Sequence, residues 1–271
     1  MSNTIKNLHT AIRRYCMDRY SYWTEKYAEL SSAGKDRAGY GYTDEALCTF
    51  PRYNVLNAIL FEIERYRPEE FATFDEAKRF FRLVAAEAEN IFTRLPKGNL
   101  EQKAMGEERE TLSKFIDELT EDNLSSIEPL FYRRVLSAEE SSSIWEKLRS
   151  RWEINGYWYP LAIHKPNDVE AFQDAYFEKE VGAEKLQTVL RSRGVEMVWE
   201  MREDDNNYEL ELSAFEPYYS GAEGFWCDSN FDWVIYVSHE SSITIGGWLL
   251  PEIQRAWLNW KERVWTTPFF D

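Results

Sequence analysis

Asp232-Trp233-Val234-Ile235-Tyr236-Val237-Ser238-His239-Glu240 is the stretch that decides the fold. From Trp233 to Val237 every side chain is apolar or aromatic, so both faces of the segment require cover. That pattern marks a strand buried on two sides. Working outward, residues 195–202, 208–215 and 242–245 read as further strands, and Ile245-Gly246-Gly247-Trp248 as a tight strand-to-helix turn. A closing helix carries Leu249, Leu250, Ile253, Trp257, Trp260 and Val264 on one stripe. Upstream, Ser137-Ala138-Glu139-Glu140 is a capping box opening a helix to about Trp152. Tyr157-Trp158-Tyr159-Pro160-Leu161 reads as a short aromatic strand with Pro160 at its edge or end. Residues 129–136 look extended, and 168–179 and 184–193 look helical, the latter ended by Gly194. A mostly antiparallel sheet with packed helices is the economical arrangement, which makes the fold class α+β.

The N-terminal part has a different period. Val55, Leu56, Ile59, Leu60 and Ile63 lie at helical spacing, and a first helix over about 3–30 carries Ile5, Leu8, Ile12, Tyr15 and Trp23. A stripe from Ala77 to Leu95 follows the capping box Thr73-Phe74-Asp75-Glu76, with Pro96 and Gly98 as its stop. A polar helix over 100–119 completes a bundle, and 31–42 reads as a long loop. The expected organisation is a helical domain, residues 1–122, followed by a tryptophan-rich acidic α+β domain, residues 127–271.

Charge and tryptophan divide along the same line. The chain of 271 residues carries 48 acidic and 32 basic side chains, a net charge of −16. Residues 1–120 hold 20 acidic and 18 basic groups, leaving 28 and 14 for residues 121–271. Only Trp23 of the eleven tryptophans precedes residue 145. Such an acidic surface repels phosphate and argues against direct nucleic-acid or anionic-membrane binding. No apolar run approaches the ~18 residues of a membrane span. Three separated cysteines and a polar N-terminus point to a reducing, cytoplasmic compartment.

Candidate chemistry is sparse. Ser238-His239-Glu240 has the residue types of a catalytic relay, but consecutive strand residues face alternate sides, so His239 needs a distant partner to act. His164, His239, Cys227, Asp228 and Glu240 supply metal-ligating types without a metal-binding spacing, so no metal or other cofactor is expected. Gly246-Gly247 lacks the Lys and Ser/Thr of a phosphate loop. What remains is acidity with aromatics. Asp204, Asp205, Glu209, Glu211 and Glu216, with Tyr218 and Trp226 as exposed anchors, form a candidate docking surface for a basic macromolecule; solubilisation of an exposed sheet face is the competing explanation.

Two groups of residues also carry a family resemblance. Leu130-Phe131-Tyr132-Arg133-Arg134-Val135-Leu136-Ser137 with Gly156-Tyr157-Trp158-Tyr159-Pro160-Leu161 forms the first. Asp232 to Glu240 with Gly246-Gly247-Trp248 forms the second. Residues 128–265 resemble uncharacterised bacterial immunity-type proteins encoded beside polymorphic toxins. The resemblance implies a non-enzymatic binding protein that neutralises a basic toxin or effector by occlusion. It transfers no site residues. The alternatives are another acidic binding module, such as a nucleic-acid mimic or phage-defence accessory protein, and an enzyme using His239.

Overall fold

A computed structural model describes residues 2–94, 98–162, 164–203 and 206–266. It is an α+β protein whose chain divides into two compact units, residues 1–130 and 131–271.

The first unit contains α1 (Ser2–Ser32), a small hairpin of β1 (Arg37–Ala38) and β2 (Gly41–Tyr42), α2 (Asp44–Ile63), α3 (Phe74–Glu87), α4 (Ile91–Arg94) and α5 (Asn99–Glu118). Its core gathers the expected stripes: Leu8 and Ile12 of α1, Leu56 and Ile59 of α2, Phe81 of α3 and Leu112 of α5. Two expectations need correction. The long loop contains the β1–β2 hairpin. The stripe running to Leu95 breaks at Ala88, whose backbone is extended, and Ile91 and Phe92 are exposed. Competing hydrogen bonds explain the break: Arg109 donates to the carbonyls of Ala85 (2.7 Å) and Ala88 (2.6 Å), and the Asn90 side chain accepts the Phe92 and Thr93 N–H groups. Leu95 and Pro96 lie outside the described residues.

The second unit is a three-layer arrangement around one antiparallel sheet. Its elements are β3 (Arg133–Val135), α6 (Ala138–Trp152), β4 (Val169–Gln173), α7 (Asp174–Glu180), α8 (Gly182–Ser192), β5 (Met197–Arg202), β6 (Tyr208–Glu211), β7 (Gly224–Cys227), β8 (Trp233–Ser238), β9 (Ser242–Gly247) and α9 (Leu249–Ala256). The strand order is β3-β6-β5-β7-β8-β9-β4. On β8, Trp233, Ile235 and Val237 join the core that Leu186 and Leu190 of α8 and Ile253 of α9 cover. Val234 and Tyr236 turn the other way, into a core with Ile144, Leu148 and Trp152 of α6. Both faces of the decisive strand are therefore covered by helices.

Gly246 and Gly247 make close packing possible. A Cβ at Gly247 would stand 2.0 Å from the Asp232 carbonyl oxygen and 3.0 Å from the Trp152 ring, and its φ is +70°. Only glycine fits that approach.

Four readings of this unit change. Residues 169–173 are the edge strand β4, paired to β9 from Val169↔Gly246 to Gln173↔Ser242, and the helix begins only at Asp174. Tyr157–Leu161 is a turn: Trp158 is buried there, its indole N–H donating 3.0 Å to the Trp152 carbonyl. The strand at 208–215 stops at Glu211, where a 3₁₀ turn takes over. The closing helix ends at Ala256; Trp257 is buried in an extended conformation, whereas Trp260 is only half-buried. Among the described residues no helix is long and apolar enough to cross a membrane.

Candidate functional site

The second unit carries a cleft of about 480 Å³ beside the ends of β8 and β9. Behind it lie Phe177 of α7, Leu186 of α8, Val237 of β8 and Ile243 of β9, all almost fully buried. All four belong to the core that the sheet shares with α7–α9. Asp174 and Glu178 of α7 line it together with Glu216, Tyr218 and Tyr219 of the segment after the 3₁₀ turn. Glu178 and Glu216 are exposed, Tyr218 is 55% exposed and Tyr219 41%. None of the three carboxylates has a Lys or Arg partner among the described residues.

Specific side chains hold the walls. Gln187 of α8 donates to the Phe215 carbonyl at 2.9 Å, tying the 3₁₀ turn to the helix and placing Glu216 at the rim. Arg202, buried at the end of β5, donates to the Ser220 hydroxyl and stacks 5.5 Å from the Tyr218 ring and 5.3 Å from the Trp226 ring. Its charge is matched by Glu200 at 2.5 Å. Arg202 thus positions the tyrosine wall, although no motif in the sequence distinguishes it from any other strand arginine.

The sequence candidates separate into four groups. Glu216 and Tyr218 meet in the cleft. Trp226 does not join them as an exposed anchor: it is fully buried on β7, because that central strand has both faces covered. Glu209 and Glu211 are not a free acidic face either. Arg134 of β3 stands opposite Glu209 across the β3–β6 pair and approaches its carboxylate to 3.2 Å; the Tyr132 hydroxyl donates to the same oxygen at 2.8 Å. Glu211 accepts the Tyr132 backbone N–H at 3.0 Å. These carboxylates fasten an edge strand to the sheet. Asp204 and Asp205 lie outside the described residues.

His239 finds the distant partner it needed, but not a nucleophile. Its Nδ1 meets the buried Glu223 carboxylate, and its Nε2 lies 3.4 Å from Glu240. Ser238 turns away, buried and sharing a 2.7 Å hydrogen bond with the Ser242 hydroxyl. With carboxylates at both ring nitrogens, the imidazolium is favoured: the Glu223 hydrogen bond, then the charges of Glu223 and Glu240, raise its pKa above 6.5. That form has no lone pair with which to accept a proton. A group that binds its proton more tightly when folded contributes stability below about pH 6.5, and loses it as pH rises through the folded value. An NMR titration should place the His239 midpoint above 6.5 in the native protein and lower it in Glu223→Gln. Coincident midpoints would contradict the clamp.

The buried thiols offer no nucleophile: burial pushes both Cys16 and Cys227 well above the ordinary thiol pKa. Among the described residues no three His, Cys, Asp or Glu side chains converge as a metal site.

The fold and cleft define an α+β protein with an acidic, tyrosine-lined recess. No family model matches the chain, and neither a curated protein nor a solved structure matches it.

Proposed function

We propose that the second unit is a binding module for a basic protein, acting as an immunity-type inhibitor that occludes a toxin or effector. The cleft carries this reading: three carboxylates without basic partners among the described residues and two exposed tyrosines line one recess. Unpaired carboxylates at a concave rim add their fields and steer cations inward. Tyrosines supply contact area at low entropic cost and can stack on guanidinium or ammonium groups, slowing dissociation. The wider charge works in the same direction, since residues 121–271 hold 28 acidic against 14 basic groups.

Affinity capture from the native cell, comparing the full chain with Glu178→Lys/Glu216→Lys, tests the proposal. Both positions are exposed and away from the core, so the variant should fold normally. The native protein should retain a basic protein, bind it again as purified components and inhibit its activity in stoichiometric amounts; the variant should do so far less well. Equal capture and inhibition by the two forms would rule the cleft out as the docking site.

A further inference from the structure

We infer that Glu223 and His239 form a proton-operated latch for the cleft: the protonated histidine holds the β8–β9 turn, the turn holds the start of α7, and loss of the proton loosens both. Glu223, one residue before β7, is 8% exposed, and its Oε2 is buried without a hydrogen-bond partner. Its other oxygen takes the His239 Nδ1 and, at 3.2 Å, the His239 backbone N–H. Among the described residues no lysine or arginine pairs with Glu223, so its counter-charge is the histidine. The remaining groups around the pair are acidic or phenolic. Glu240 lies 3.4 Å from Nε2, and Tyr236 is kept protonated by burial first, then by Glu223, Glu203 and Tyr157. A buried carboxylate is tolerated while an imidazolium meets it and becomes costly once that charge is gone. Neutral imidazole also has one N–H instead of two, so a lone pair then faces a carboxylate, at Glu223 or at Glu240. The backbone bond survives deprotonation; the ring bond is what changes.

Hydrogen bonds join that turn to the cleft. The Ser241 carbonyl accepts the N–H of Asp174, the first residue of α7, at 3.1 Å, and the Glu240 carbonyl accepts the Trp265 indole N–H at 3.0 Å. Asp174 and Glu178 line the cleft, as do Val237 and Ile243, which pair across β8 and β9 next to Ser238 and Ser242. His239 binds its proton more tightly in the folded chain, so the latch is closed below the native midpoint and loosens as pH rises through it. The consequence for binding rests on the basic-partner reading, and its sign is distinctive. Deprotonation makes the protein more negative, which by charge alone would strengthen its hold on a basic partner. The latch requires the opposite: affinity falls as pH rises through the His239 midpoint.

An NMR titration of the full chain without any partner tests the latch. The backbone amide resonances of Ser241, Asp174 and Glu178 should shift with the same midpoint as the His239 ring. In His239→Gln, which can still donate a hydrogen bond to Glu223 but does not titrate, those shifts should vanish. Glu223→Gln should uncouple Asp174 and Glu178 from the ring, which titrates at lower pH. Stationary Asp174 and Glu178 resonances while the His239 ring titrates would overturn the latch. Partner affinity, measured by titration calorimetry on both sides of the midpoint, tests its use. The native chain should bind the captured protein several-fold less tightly above the midpoint, and His239→Gln should bind it equally at both. Affinity that is unchanged or rises with pH, in a complex that still depends on Glu178 and Glu216, would remove the latch from control of the cleft and leave the basic-partner reading standing. A chain that captures no basic protein would end that reading, with the NMR titration still deciding the latch.

Discussion

Trp257→Ala is expected to destabilise the second unit by about 3–5 kcal/mol, the usual cost of emptying a large aromatic site. Trp257 is buried where the chain leaves α9, with its ring 5.2 Å from Phe172 and 5.6 Å from Phe177. Those two rings belong to β4 and α7, so the indole joins the edge strand, the helix after it and the C-terminal segment in one contact. Its N–H also donates to Glu180 at 2.7 Å, and that bond is the chief reason the Glu180 carboxyl lies below its usual range. Truncation leaves a cavity and removes the donor together. Denaturant unfolding followed by tryptophan fluorescence reports mainly on this unit, which contains every tryptophan except Trp23. A loss below about 1 kcal/mol would mean that the site collapses around the missing ring, or that the indole is not packed as described.

Glu108→Ala should have an effect of similar order in the helical unit, about 2–4 kcal/mol. Glu108 is fully buried on α5, yet its carboxylate is well matched. It accepts from Arg19 at 2.7 and 2.8 Å and from the Trp23 indole N–H at 3.0 Å, and it lies 3.5 Å from Arg52. Both guanidiniums also stack on the Trp23 ring, at 5.4 and 4.8 Å. Removing the carboxylate strands a half-buried indole donor and leaves two cations crowded against one ring. The figure stays below the full cost of breaking a buried pair because the Arg19 side chain is 32% exposed and water can replace part of the loss. Double-mutant cycles with Arg19→Ala should show strong coupling. Additive effects would indicate that the bonds contribute little beyond local packing.

How much of this was legible in the chain depends on where each signal is written. The β8 strand could be read because cover on both sides is recorded locally, as an uninterrupted apolar run. The α6 start could be read because Ser137 and Glu140 sit three residues apart and cap each other, at 3.2 and 2.9 Å. The β4 strand was hidden: its five residues run directly into α7, so a window across both mixes two periods. Tyr157–Leu161 misled in the opposite sense, since aromatic residues favour strands statistically but here fill the core from a turn.

The site divides in the same way. Glu216 and Tyr218 belong to an exposed segment whose composition already suggests recognition. Their helical counterparts Asp174 and Glu178 are brought to the same cleft only by tertiary structure. Glu209 looked free because its partner Arg134 precedes it by 75 residues, and no local pattern announces that pairing. Trp226 looked exposed because β7 has only four residues, too few to display the two-sided burial evident in β8.

The central claim is that the acidic cleft recognises a basic partner, and association kinetics test it most directly. With the partner in hand, stopped-flow mixing should compare the native chain with Glu178→Lys/Glu216→Lys across a salt series. At low salt the variant should associate about tenfold more slowly, because two rim charges that steer a cation inward now repel it. The two rates should converge as salt rises, since the screening length falls from about 8 Å at 0.15 M to about 3 Å at 1 M. Equal rates at every salt concentration would contradict the account and leave the acidity of this unit as a means of staying in solution.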